Sequence, residues 1–150
     1  MNIKKPEEYL AFSGKYAASQ AVRDLSPHDL QLILNLQSEN AAYMRQDSYN
    51  ALDRLFARDD YPLIDDTLIL YRGGKTSPKD PRDYISATVF PAIAQDYSGD
   101  DPVSTITVEK GAKILPLRAL HRYAGDGEGE IIICTRHLIR TIYPRRFMYR

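Results

Sequence analysis

Tyr61-Pro62-Leu63-Ile64-Asp65-Asp66-Thr67-Leu68-Ile69-Leu70-Tyr71-Arg72-Gly73-Gly74 is the stretch on which the fold turns. Before Pro62 the chain has helical texture; from Leu63 onward it breaks into short apolar runs separated by Gly, Pro, Asp and Lys, the pattern of strands joined by turns. Downstream, residues 67–71, 84–88, 103–108, 112–117, 130–135 and 139–143 read as strands, with one helix over 91–97 between them. Upstream, Ser26 is an N-cap candidate with Pro27 at the first helical position, and Leu30, Ile33 and Leu34 follow at the spacing of one helix face. A further helix is expected from Asp47 or Ser48, carrying Leu52, Leu55 and Phe56 inward. A third is expected between Leu10 and Arg23, interrupted at Ser13-Gly14. Helices first and strands afterwards make one α+β domain over residues 1–150, mainly helical to 60 and mainly strands from 63, with helices packed on antiparallel sheets. A doubly wound dinucleotide fold is disfavoured by this order, and no Gly-x-Gly-x-x-Gly supports one.

The 150 residues suit a single cleft-bearing domain. Twenty Lys and Arg balance twenty Asp and Glu, so net charge supplies no long-range field for a nucleic acid or an anionic membrane. The single cysteine, Cys134, follows Ile131-Ile132-Ile133 and reads as a buried thiol; one cysteine allows neither an intrachain disulfide nor a cysteine zinc site. The opening Met-Asn-Ile-Lys-Lys-Pro-Glu-Glu has no apolar run behind its lysines, and no stretch has the roughly 18 apolar residues of a spanning helix. A cytoplasmic, reducing setting without membrane insertion is the resulting expectation.

Three separated fragments can carry chemistry. Leu70-Tyr71-Arg72-Gly73-Gly74 places a guanidinium at the end of an apolar strand, beside glycines that let a ligand approach the backbone. Arg72 alone would pass for a solvated strand end. Tyr84-Ile85-Ser86-Ala87-Thr88 aligns Tyr84, Ser86 and Thr88 on one face, where hydroxyls can orient a carboxylate; an edge strand with a polar outer face has the same pattern. Asp126-Gly127-Glu128-Gly129-Glu130 leads straight into Ile-Ile-Ile-Cys. A carboxylate at the mouth of so apolar a strand must be partnered or solvated in a cleft, because an unpaired buried charge is too costly. If strand geometry extends back to Glu128, both glutamates share a face and the pKa of one is raised; otherwise the segment is an acidic turn that blocks edge pairing.

Taken in order, these fragments resemble the Arg-Ser-Glu class of mono-ADP-ribosyltransferases, which includes clostridial binary-toxin catalytic domains, vegetative insecticidal toxins and phage enzymes. The class pattern is an arginine after an apolar strand, a Ser-Thr-Ser-like strand, and a Glu-x-Glu or Gln-x-Glu before an apolar strand. Here these are Leu70-Tyr71-Arg72-Gly73, Ser86-Ala87-Thr88 and Glu128-Gly129-Glu130. Ile106 to Leu117 is similar to the strand and basic-glycine turn before the Glu-x-Glu loop, and Ser48 to Leu55 to the helix before the arginine strand. The resemblance spans about residues 26 to 143; Ala87 departs from the middle of Ser-Thr-Ser, and the first 25 residues match no part of the pattern.

The resemblance implies a split β-sandwich of two antiparallel sheets with N-terminal helices packed on them. It implies NAD+ as substrate, no metal, and a target protein as acceptor. Glu130 would hold the nicotinamide ribose and stabilise the cation formed when nicotinamide leaves; Ser86 would orient Glu130; Arg72, beside Gly73, would hold the phosphates; Thr88 would support the strand. An aromatic near the nicotinamide is expected at Tyr97 or Phe90, and either can equally be core. Glu128 goes with arginine acceptors in this class, and Tyr123 sits where relatives place an aromatic against the target. Three alternatives accompany this expectation. Water as acceptor would make the chain an NAD+ glycohydrolase. Asp126, Glu128 and Glu130 have half the spacing of a calcium loop but lack its closing bidentate glutamate. Arg136, Arg140, Arg145, Arg146 and Arg150 form a basic run that could meet RNA or simply be a solvated edge.

Overall fold

The computed structural model describes residues 1–37, 45–73, 83–120 and 129–142, with Gln37 and 137–142 described by backbone alone. Its helices start where the local chemistry asks for them. Pro6 opens α1 (Pro6–Ala17), and the Glu8 carboxylate accepts the Lys5 N–H at 3.0 Å. Ser19 caps α2 (Gln20–Arg23), and the Ser26 hydroxyl accepts the Asp29 N–H at 3.0 Å ahead of α3 (Pro27–Leu34). The interruption expected at Ser13-Gly14 falls instead at Ala18-Ser19, and α1 runs through the glycine. Tyr9, Ser13 and Tyr16 form the buried face of α1, so tertiary packing outweighs the roughly 1 kcal/mol helix penalty of Gly14, around which there is open space.

The helix α4 (Arg45–Phe56) buries Tyr49, Leu52, Leu55 and Phe56 and packs on α3, where Arg54 and Asp29 pair at 2.6 Å. In α3 the deepest residues are Leu32 and Ile33, while Leu30 and Leu34 are half-buried rather than central. Among the described residues there are six strands, β1 (Leu68–Arg72), β2 (Tyr84–Thr88), β3 (Ser104–Val108), β4 (Ile114–Pro116), β5 (Glu130–Cys134) and β6 (Leu138–Ile142), with α5 (Pro91–Ser98) between β2 and β3. Expected and observed strands coincide closely; the largest difference is at β4, which starts later than expected and stops at Pro116 because Leu117 begins a 3-10 helix (Leu117–Leu120).

All six strands pair antiparallel in the order β4-β5-β2-β1-β3-β6, so the α+β architecture is as the sequence indicates. The two expected sheets need one correction. They are two three-stranded halves, β4-β5-β2 and β1-β3-β6, joined into one sheet by a single register pair, Tyr71↔Thr88. By contrast β1 and β3 share five consecutive pairs, as do β2 and β5. A sheet joined by one rung between long ladders can part on either side of it, and the candidate site lies there.

Both faces of β5 are covered. Ile131, Ile132 and Ile133 are each at most 2% exposed although neighbours point to opposite faces, and each contributes roughly 1.5–3 kcal/mol by burial. Cys134 is buried as expected. The helix α1 packs on β4 and the 3-10 helix after it, and α5 packs on β1 and β2. Among the described residues, no helix is long and apolar enough to cross a membrane.

Candidate active site

Where β1 and β2 part, a cavity of about 360 Å³ opens, within the range of roughly 300–1,000 Å³ usual for small-molecule sites. Its walls are Tyr71, Arg72 and Gly73 from the end of β1, Ser86, Ala87 and Thr88 from β2, Ile93, Ala94 and Tyr97 from α5, and Glu130 from the first position of β5. Residues 58 positions apart in sequence, Arg72 and Glu130, thus line one cleft with the β2 hydroxyls between them.

Each side chain is held there by backbone geometry. Thr88 pairs in register with both Tyr71 and Glu130, which centres the site on one rung of the sheet. Arg72 donates from Nη1 to the Ser86 carbonyl, so the guanidinium spans the gap where the β1–β2 ladder has stopped. The Thr88 hydroxyl accepts the Phe90 N–H at 3.1 Å, shaping the turn that sends Pro91 into α5. Glu130 is half-buried at the cleft.

The glycines act through close approach. A Cβ on Gly73 would lie 2.0 Å from the Ala94 carbonyl oxygen and 2.9 Å from the Ser98 nitrogen, both backbone atoms that cannot swing aside. Gly73→Ala is therefore expected to destabilise the fold by about 3 kcal/mol as α5 is pushed off β1. A urea midpoint equal to that of the wild type would contradict this packing. Gly129 has φ +58°, and a Cβ there would lie 2.7 Å from the Phe90 ring and from Val89. Among the described residues strand geometry thus begins at Glu130 and does not run back through Gly129.

Of the two aromatics expected near the ligand, Tyr97 lines the cleft and is 67% exposed. Phe90 does not line it. Its ring is half-buried, packs edge-on to Tyr9 with centroids 6.2 Å apart, and closes over Gly129 against the core. Glu128, Tyr123, Gly74 and Asp126 lie outside the described residues, as do Arg145, Arg146 and Arg150. The described residues hold no group of three or more His, Cys, Asp or Glu arranged to bind a metal ion.

A smaller cavity of about 110 Å³ shares Arg72 and Ser86 with the cleft and adds Arg45 and Tyr49 from α4 and Tyr84 from β2. Tyr84 donates its hydroxyl to Asp53, latching β2 to α4 two residues before Ser86. Burial foremost, then the hydrogen bond and charge of Asp53, push the Tyr84 phenol well above its usual range, so it stays protonated as the donor. No local pattern marks Arg45, Tyr49 or Tyr84 as neighbours of Arg72.

No protein-family model matches the chain, and no curated protein matches it in sequence. Solved structures do match its fold. An ADP-ribosyltransferase from Clostridium botulinum aligns over 89% of this chain and 85% of its own, at 20% identity and a TM-score of 0.52. An ADP-ribosyltransferase toxin from Paenibacillus larvae aligns over 91% and 85% at 10% identity and a TM-score of 0.56. The ADP-ribosyltransferase Vis of Vibrio splendidus aligns over 89% and 76% at 15% identity and a TM-score of 0.51. At such identities the likeness is one of fold: this chain has an ADP-ribosyltransferase toxin-like fold.

Proposed function

We propose that this chain is a mono-ADP-ribosyltransferase that cleaves NAD+ at its nicotinamide-ribose bond and transfers ADP-ribose to a protein, at an arginine side chain. The observation that carries this reading is one cleft, at the parting of two half-sheets, lined by Arg72, Ser86, Thr88 and Glu130 in a fold shared with ADP-ribosyltransferases. Nicotinamide in NAD+ is already a cationic leaving group, so the bond breaks toward an oxocarbenium-like ribose that asks for negative charge rather than for a general acid. Glu130 supplies that charge and holds the ribose hydroxyl. Ser86 orients Glu130, Arg72 and the open backbone at Gly73 receive the phosphates, and Tyr97 borders the nicotinamide. Water or a protein nucleophile then attacks the ribosyl carbon and gives up its proton as the new bond forms.

The test is nicotinamide release from NAD+ by the pure protein in EDTA. Release is the expected result, since the proposed site provides its own charges; turnover that depends strictly on an added divalent ion would contradict it. Acceptor choice is tested separately through Glu128, which we assign to holding and deprotonating the target guanidinium. Glu128→Gln should cut label transfer to proteins by roughly 100-fold or more while leaving most of the hydrolysis, the scale of a general-base contribution at its lower end. Equal loss of both activities in a folded variant would remove the case for an arginine acceptor.

A further inference from the structure

The proposed chemistry leaves α1 without a part, and none of the described residues lining the cleft comes from it. The helix nevertheless reaches the site from behind. Tyr9 is 2% exposed; its hydroxyl donates to the Glu130 carbonyl oxygen at 2.8 Å and accepts the Arg118 N–H at 3.4 Å. The β4–β5 ladder ends at Pro116↔Ile131, one residue short of Glu130, because the chain turns into a 3-10 helix at Leu117. One phenol thus provides a donor at the Glu130 carbonyl where the neighbouring ladder has stopped, and ties that point to two other elements. Its ring also meets Phe90 edge-on, at 6.2 Å and 64°, and Phe90 in turn closes over Gly129. The backbone on both sides of the Glu130 Cα is therefore braced by Tyr9, directly at the carbonyl and through Phe90 at the preceding glycine.

We infer that Tyr9 is a positioning residue for Glu130: its hydroxyl, held between the Glu130 carbonyl and the Arg118 amide, fixes where the cleft carboxylate leaves the sheet. This rests on the reading of Glu130 as the carboxylate that stabilises the ribosyl cation. A carboxylate that must face a developing charge loses effect when its anchor relaxes by a fraction of an ångström, while ground-state binding of the dinucleotide, carried mainly by Arg72, changes little.

Tyr9→Phe keeps the ring against Phe90 and removes only the hydroxyl. Nicotinamide release should show kcat reduced roughly five- to tenfold, the scale of one lost hydrogen bond, with KM for NAD+ within about twofold of the wild type. Tyr16→Phe, a matched hydroxyl deletion on the same buried helix face but among Phe12 and Tyr61, should change neither. The deciding variant is the double Tyr9→Phe with Glu130→Gln. If Tyr9 acts through the carboxylate, its removal costs nothing further once the charge is gone. The same five- to tenfold loss in that background, or a wild-type kcat in Tyr9→Phe while Glu130→Gln is impaired, overturns the inference alone. A wild-type rate in Glu130→Gln overturns it together with the reading of Glu130. Should Tyr9→Phe not fold, Phe90→Leu, which loosens the ring between Tyr9 and Gly129, carries the same cycle with the same expected direction.

Discussion

Glu130→Gln is expected to fold normally and to release nicotinamide from NAD+ roughly 100-fold or more slowly than the wild type, the scale of removing one preorganised electrostatic contact. The substitution keeps size and shape and leaves untouched the backbone contacts that seat the residue: its register with Thr88 and the hydrogen bond from Tyr9 to its carbonyl. Only the charge is lost. In the proposed reaction water and a protein acceptor meet the same ribosyl cation, so hydrolysis and label transfer should fall together, and affinity for NAD+ should change little. Initial rates with and without acceptor, beside a thermal melt of each protein, make the measurement. Full hydrolysis in a folded Glu130→Gln would remove the catalytic assignment.

Arg72→Ala should act on binding instead. Phosphate contacts are present in ground and transition states alike, so losing a charge-assisted pair should weaken NAD+ binding by about 1.5–3 kcal/mol, or roughly 10- to 150-fold in Kd. The structure adds a second consequence. Arg72 also donates to the Ser86 carbonyl across the gap between β1 and β2, so the alanine variant loses a strut of the cleft wall as well as a cation. Arg72→Lys separates the two, since an ammonium keeps the charge but not the planar fork. Calorimetry should place Arg72→Lys between the wild type and Arg72→Ala; unchanged affinity in a folded Arg72→Ala would put the phosphates elsewhere.

The strands were legible because their signals are local. Ile131-Ile132-Ile133 declares a short apolar run and Tyr84-Ile85-Ser86-Ala87-Thr88 a short β-prone one with its hydroxyls on one face, and β5 and β2 lie where those runs do. Arg72, Ser86 and Glu130 were singled out for a different reason: they stand at strand ends or on strand faces in an order that resembles a known pattern, and the fold lines one cleft with them. What could not be read depends on contacts distant along the chain. Whether two half-sheets join is decided by one pair, Tyr71↔Thr88, and no local pattern encodes it. Gly14 looked like a helix breaker because its neighbours give no hint that Tyr9, Ser13 and Tyr16 share a buried face. Phe90 caps α5 and Tyr97 lies within it, and only the close approach of the Gly129 backbone, at positive φ, to the Phe90 ring shows that Phe90 packs against the core. Tyr9 itself lies 121 residues from the carbonyl it supports, in a segment the family pattern does not cover.

NAD+ labelled in its adenylate half, incubated with the pure protein and a cell lysate and followed by denaturing separation, tests the proposed activity most directly. Label bound covalently to protein, formed as nicotinamide appears and absent with Glu130→Gln, is the expected result. Intact NAD+ after prolonged incubation, with neither free nicotinamide nor labelled protein, would contradict it.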